Sequence, residues 1–352
     1  MMGADIPSIQ ITKVKAAIER GRRSRWWLRK GSMKSGFKYL DASGNRISDE
    51  AGLERIKSLV IPPAWRFVRI SPFAGTSLQA VGMDTTGRVQ YLYNSKFTQE
   101  RGKKKFEKIK RFGEALPKLR EVTNQHIALE GYPREKVLAI MLRLVNSLYI
   151  RIGSEKSVKR YKTFGITTLQ NRHLTVNKNR ELIFDFVGKS SIKHRKVLVD
   201  AELAAEMAKI KELGKARKLF NYLDEEGNAR PIKSSELNTY LKQATAPEFS
   251  SKDFRTWAGT LLAAVELAEI GPAPDEKQLK SNLVKAVRRV SEELGNTPAV
   301  CRSSYIHPSV IDRYASGQTL DEFQTRKARK VRHKNEKSTP EEQALLRMLK
   351  AK

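Results

Sequence analysis

A single cysteine, Cys301, stands in the 352 residues, so no internal disulfide can form and the expected setting is a reducing compartment. Long apolar runs are missing as well. The most hydrophobic stretch, from Trp257 to Ile270, is broken by Gly259, Thr260, Glu266 and Glu269, and Met1 to Gln10 contain no apolar leader segment. These absences point to a soluble, cytoplasmic protein with no membrane partner. The five histidines, His126, His173, His194, His307 and His333, are scattered, and none stands at ligand spacing from another or from Cys301. No acidic cluster would hold the paired metal ions of a nuclease. Gly-x-Gly-x-x-Gly and Gly-x-Ser-x-Gly are both missing. Gly188-Lys189-Ser190 resembles the end of a phosphate loop, but Ile183 replaces its upstream glycine and the context is strand-turn-strand. Neither a metal nor a nucleotide cofactor is therefore expected.

Negative charge is in short supply: 38 Asp and Glu face 68 Lys and Arg, a net charge of +30. Hydrophobic residues still make up 39% of the chain, enough for a sizeable core, so a folded polycation is expected and not a disordered one. Such a surface suits a partner with closely spaced negative charges. Nucleic acid fits better than a membrane, because no segment reads as a long basic amphipathic helix.

Turn signals at 41–45, 71–75 and 84–87 separate short runs such as Phe67–Ile70, Leu78–Val81 and Val89–Tyr93, which read as strands after a helix from Asp49 to Leu59. A basic, helical-looking segment follows, and a domain boundary with a linker is expected near 95–105. Beyond it helices are expected at about 134–150, 201–213, 254–270 and 275–294, interrupted by a three-stranded meander at 173–176, 182–186 and 196–199. The fold class is α+β. Its expected parts are a basic arm (1–29), a β-rich domain (30–97), a mainly helical domain (98–317) and a basic tail with a short helix opening at Ser338 to Glu342 (318–352). The basic run from Arg326 to Lys337 would add nonspecific affinity.

Arg151 follows an apolar helix where another aliphatic residue would continue the pattern. Lys189 sits at a hairpin tip, and Arg255 heads another apolar helix. Asn296 and Tyr305 flank the segment Thr297–Ser304, after a helix ended by Gly295. Singly, each has a plain explanation as a salt-bridged, surface or core residue. In this order, with Gly36–Asp41, Ile61–Trp65, Gln90–Tyr93, Arg151-Ile152-Gly153, Lys252–Thr256 and Leu294–Pro308, they resemble the type IB DNA topoisomerases of the bacterial and poxvirus-type branch, over roughly Lys30 to Gly317.

The resemblance implies that Tyr305 is the nucleophile, that Arg151, Lys189 and Arg255 are cationic catalysts, and that Asn296 completes the pocket. It implies a 3′-phosphotyrosyl intermediate, relaxation of supercoiled duplex DNA without ATP or metal, and a two-domain, clamp-like monomer associated with the nucleoid, in which 30–97 is the DNA-binding and 98–317 the catalytic domain. Gln90, Tyr91 and Tyr93 would face DNA, with Lys252 as a further contact. Tyr91 and Tyr93 also fit a plainer reading as half-buried sheet aromatics. The chemistry is coherent with this set. A phenol is a weak nucleophile near pH 7, so charge building on the nonbridging phosphate oxygens has to be met by fixed donors, and a lysine can protonate the departing 5′ oxygen. Relatives of the poxvirus and eukaryotic branches carry histidine where this chain has Asn296, and an amide donates without titrating. Two rivals remain at this point. A tyrosine recombinase uses a similar pocket, but its usual histidine three residues before the second arginine is Lys252 here. An architectural DNA-binding protein would satisfy the composition but not the ordered set.

Overall fold

The computed structural model describes residues 8–213, 218–324 and 338–351; the basic run from Arg326 to Lys337 lies outside the described residues. The chain divides into two units, Met1–Lys105 and Phe106–Lys352.

In the first unit, helices α1 (Ser8–Ile18) and α2 (Glu50–Ser58) accompany five antiparallel strands: β1 (Trp27–Ser32), β2 (Gly36–Leu40), β3 (Arg66–Ile70), β4 (Leu78–Met83) and β5 (Val89–Tyr93). The sheet order is β2-β1-β3-β4-β5. Side chains alternate across a strand, so Ala80 joins Ile56, Val68 and Ile70 beneath α2, while Val81 and Met83 join Ile18 of α1. Because both faces are covered, β4 is buried along almost its whole length. Asp49 caps α2 by accepting from the Gly52 N–H at 2.7 Å.

Residues 8–29, expected as a basic arm, hold α1 and the start of β1. Arg29, which by composition belonged to that arm, is only 8% exposed. Its guanidinium lies 4.3 Å from the Phe37 ring centroid and donates to the carbonyls of Ile61, Pro62, Pro63 and Trp65. It is a structural cation that ties down the Ile61–Trp65 turn, since a planar fork can serve several acceptors at once.

The division between units falls inside α3 (Ser95–Ile127), so the stretch expected as a linker is helical. The second unit continues with α4 (Arg134–Leu148), α5 (Glu155–Tyr161), the antiparallel meander β6 (Leu174–Val176), β7 (Glu181–Val187) and β8 (Lys193–Val199), and α6 (Ala201–Leu213). A small hairpin of β9 (Asn221–Leu223) and β10 (Ala229–Pro231) precedes α7 (Ser234–Ala244), α8 (Ser251–Ile270) and α9 (Glu276–Leu294). Last come α10 (Pro298–Ser304), α11 (Pro308–Ala315) and α12 (Pro340–Lys350). The β7–β8 strands run further than their hydrophobic alternation suggested, so His194, expected in the turn, is a strand residue.

One large core gathers α3, α4 and α6 to α12. Trp257, which opens the most hydrophobic stretch, is 2% exposed, and Phe112 meets Phe254 edge-on at 5.0 Å. Glu342 fastens α12 to this core. Its carboxylate takes two bonds from Arg120, at 2.6 and 2.7 Å, and those bonds outweigh its burial and hold its pKa below the usual range.

Candidate active site

The candidate site is built at helix ends. α4 stops because Tyr149 takes a left-handed conformation (φ 57°), which turns Ile150 into the core and brings Arg151 back across the C-terminus of α9. There the Arg151 Nη2 donates to the Gly295 carbonyl at 3.0 Å and to the Asn296 Oδ1. Arg255 lies in the second turn of α8 and is 4% exposed. It donates to the Tyr149 carbonyl at 2.5 Å and the Leu294 carbonyl at 2.7 Å. Among the described residues no carboxylate pairs with either guanidinium; the C-terminal carbonyls of α4 and α9 hold them instead, where helix dipoles favour cations. Burial, then the charge of Arg255, pulls the Arg151 pKa down to about 10, and burial also lowers that of Arg255. Both stay charged at neutral pH. A guanidinium has five N–H donors, so each keeps donors for a ligand.

Tyr305 caps the C-terminus of α10, its N–H bound to the Cys301 carbonyl at 2.9 Å. α8 grips its backbone. A Cβ at Gly259 would lie 2.8 Å from the Tyr305 carbonyl oxygen, so only glycine allows this approach. Thr260, fully buried, shares its one hydroxyl proton between the Thr256 carbonyl at 2.8 Å and the Tyr305 carbonyl at 3.2 Å, and accepts from the His307 N–H at 3.1 Å. Gly259 and Thr260 were legible in the sequence only as interruptions of an apolar run.

The guanidinium of Arg255 stands 5.3 Å from the Tyr305 ring centroid. Burial pushes the phenol pKa up, but the charges of Arg255 and Arg151, with donor groups of Arg255 and Asn296, overcome it and leave the pKa below its ordinary value. Two buried donors beside this tyrosine, Asn296 Nδ2 and Arg255 Nε, have no hydrogen-bond partner besides the phenol. Lys189 is exposed at the β7–β8 turn, where Ser190 and Ser191 have φ of 64° and 59°. With Arg151 and Arg255 it lines a cavity of ≈ 10 Å³. Arg151 and Arg255 thus adjoin both Lys189, across this cavity, and the pair Asn296 and Tyr305, which do not line it. Beside the hairpin opens a groove of ≈ 1090 Å³ whose walls include Lys159, Lys162, Arg172, Lys193, Arg195 and Lys218.

In the first unit, Tyr91 and Tyr93 are 45% and 41% exposed on edge strand β5, so each ring is partly covered and partly presented to solvent. Their rings stack at 6.4 Å, and Phe97 and Arg101 extend the row. Gln90 points to the opposite side of the strand by alternation, its Nε2 tied to Asp84 Oδ2 at 2.7 Å. Lys252 is exposed on the first turn of α8, and its neighbour Asp253 is buried in an ion pair with Lys108 at 2.7 Å.

Residues 94–334 match the family described as eukaryotic DNA topoisomerase I, catalytic core, and residues 36–84 match the bacterial DNA topoisomerase IB, N-terminal domain. The chain belongs to the type IB DNA topoisomerase family. It is 28% identical over 322 residues to the DNA topoisomerase 1B of Acanthamoeba polyphaga mimivirus, covering 90% of this chain and 92% of that one. It is 24% identical over 252 residues to the DNA topoisomerase 1B of Vaccinia virus (strain Copenhagen), covering 70% and 75%. The DNA topoisomerase 1 of Candidozyma auris is 26% identical over 204 residues, covering 56% of this chain and 26% of its own.

Proposed function

We propose that the protein relaxes supercoiled duplex DNA by cutting and rejoining one strand through Tyr305. The observation that carries this reading is the convergence on one phenol of the buried Arg255 guanidinium, the half-buried Arg151 guanidinium and the Asn296 amide, with Arg255 Nε and Asn296 Nδ2 lacking acceptors of their own. A phosphodiester would supply the missing acceptors. Tyr305 attacks the phosphorus, a bond forms from its phenolic oxygen to phosphorus, and the bond from phosphorus to the 5′ oxygen breaks. Arg151, Arg255 and the Asn296 amide meet the charge on the nonbridging oxygens, and Lys189 gives a proton to the leaving 5′ oxygen. The phenol pKa, lowered by the two arginines, eases loss of its own proton to water, which the partly exposed ring can reach.

One phosphate ester is exchanged for another, so the energy of the broken link is kept in the 3′-phosphotyrosyl bond. Rotation of the free end and reversal of the attack then need neither ATP nor a metal ion. Tyr91, Tyr93 and Arg101 offer contact area and charge to the duplex, Lys252 offers a further contact, Gln90 on the other side of its strand reaches DNA only if it leaves Asp84, and the cation-walled groove beside the hairpin suits a phosphate backbone. The protein acts as a monomer on cytoplasmic, nucleoid-associated DNA.

The test is Tyr305→Phe, which keeps the ring and its packing and removes the one reactive oxygen. The variant is expected to fold, bind duplex DNA, and yield no covalent adduct when wild-type reactions in EDTA without ATP do. Wild-type relaxation by Tyr305→Phe, or an absolute need for ATP or metal, would overturn the proposal. Strand exchange between paired sites would identify a recombinase instead.

A further inference from the structure

The imidazole of His194 fills a slot between two glycines from distant parts of the chain. A Cβ at Gly188 would lie 2.6 Å from its Cδ2 and Nε2, and one at Gly295 would lie closer still to its Cε1. Gly188 precedes Lys189 at the hairpin turn. Gly295 caps α9 (φ 57°), offers its carbonyl to Arg151, and precedes Asn296. One ring therefore separates the segment that carries Lys189 from the segment that holds Arg151 and Asn296. The same hairpin is fastened a second time, two residues on, where Lys196 Nζ donates to the Glu293 carbonyl at 2.7 Å and to its carboxylate at 2.9 Å. Phe186, paired with His194 across the strands, backs the ring at 5.2 Å. The residual cavity of ≈ 10 Å³ leaves room for one water at most, so the spacing is set by side-chain contact.

We propose that His194 is a positioning residue, a wedge between Gly188 and Gly295 that sets where Lys189 stands relative to Arg151, Arg255 and Asn296. This rests on the reading of Lys189 as the acid that protonates the leaving 5′ oxygen. Burial, followed by the charges of Arg151, Lys196 and Arg255, holds the imidazole pKa down at about 4, so the wedge is neutral at working pH and adds no cation to the pocket. Gly188 has φ −95°, which alanine adopts without strain, so at this position the ring and not the backbone excludes a methyl group.

The experiment measures single-turnover cleavage of a duplex with either an ordinary 5′ oxygen or a 5′ sulfur at the scissile bond, since a thiolate departs without protonation. His194→Ala is expected to slow the oxygen substrate roughly 10- to 10²-fold and to leave the sulfur substrate within about threefold of wild type. Gly188→Ala, which pushes the ring out of its slot, should do the same, and adding it to His194→Ala should cost nothing further. Lys189→Ala serves as the reference. If it is rescued by sulfur and His194→Ala is not, the wedge proposal is overturned and the acid stands. If Lys189→Ala is not rescued, the acid assignment falls and takes the wedge with it. Should His194→Ala not fold, Gly188→Ala decides alone: equal slowing of both substrates, or of neither, overturns the proposal.

Discussion

Replacing Gly259 by alanine should disable cleavage without harming the helix that carries it. The new Cβ would sit 2.8 Å from the Tyr305 carbonyl oxygen and 2.9 Å from its Cβ, against an ordinary approach of about 3.5 Å. Leu294 Cδ1, at 3.2 Å, closes the other side. The methyl group therefore displaces the Tyr305 backbone by roughly 0.6 Å, because α8 is buried on both flanks and cannot retreat. A misplacement near 1 Å costs on the order of 10²-fold in rate, so about 10-fold or more is expected here. Alanine is the better helix former by about 0.5–1 kcal/mol, which offsets part of the strain in α8. Single-turnover adduct formation, duplex affinity and urea unfolding should be measured on the same preparation. Slow cleavage with near-native binding and stability supports the reasoning. Wild-type cleavage would show that Tyr305 is not held by this contact, and loss of fold would show that the methyl group strains the whole core.

Arg151→Ala removes the donor shared by the Gly295 carbonyl and Asn296, and cleavage should fall by at least roughly 10²-fold while duplex binding changes little; cleavage at the wild-type rate would leave this arginine a purely structural cation. Arg29→Lys cannot serve the carbonyls of the 61–65 turn with one ammonium and loses the stacking on Phe37, so urea unfolding should show a loss of about 1–3 kcal/mol; an unchanged midpoint would refute the structural role. Burial and Arg172 hold His173 near pKa 4, and burial with Arg151, Lys196 and Arg255 holds His194 there, against about 6.5 in the unfolded chain. Between those values the unfolded chain takes up protons that the folded chain refuses. Stability should thus be level above about pH 7 and fall as pH drops toward 4, and urea midpoints that rose between pH 7 and 5 would contradict it.

The catalytic candidates were legible only as a set: singly Arg151, Lys189, Arg255, Asn296 and Tyr305 have plain explanations, and their roles were implied by the order of motifs shared with the type IB family. The α+β class and most long elements followed from periodicity. Arg29 was not legible, because its acceptors come from residues 61–65 and a sequence shows only that it is basic. Gly259 and Thr260 escaped too, since their role is contact with a segment more than forty residues away. The short helices α5, α7, α10 and α11 carry too few turns for a hydrophobic stripe to stand out from neighbouring loops.

Arg255 is tied to the carbonyls of Tyr149 and Leu294, and Tyr305 is held by α8, so the pocket is joined from segments that emerge at very different times during synthesis. With Tyr305 as the nucleophile, the cations and the amide are all made before the group that cuts. A nascent chain that has reached Asn296 can attract a phosphate but has nothing to attack it with. Its first opportunity comes only when α10 has been added and docked on a finished α8. On the proposed mechanism, the order of the residues along the chain would act as a safety catch, keeping an incomplete enzyme from nicking the DNA it is drawn to by charge.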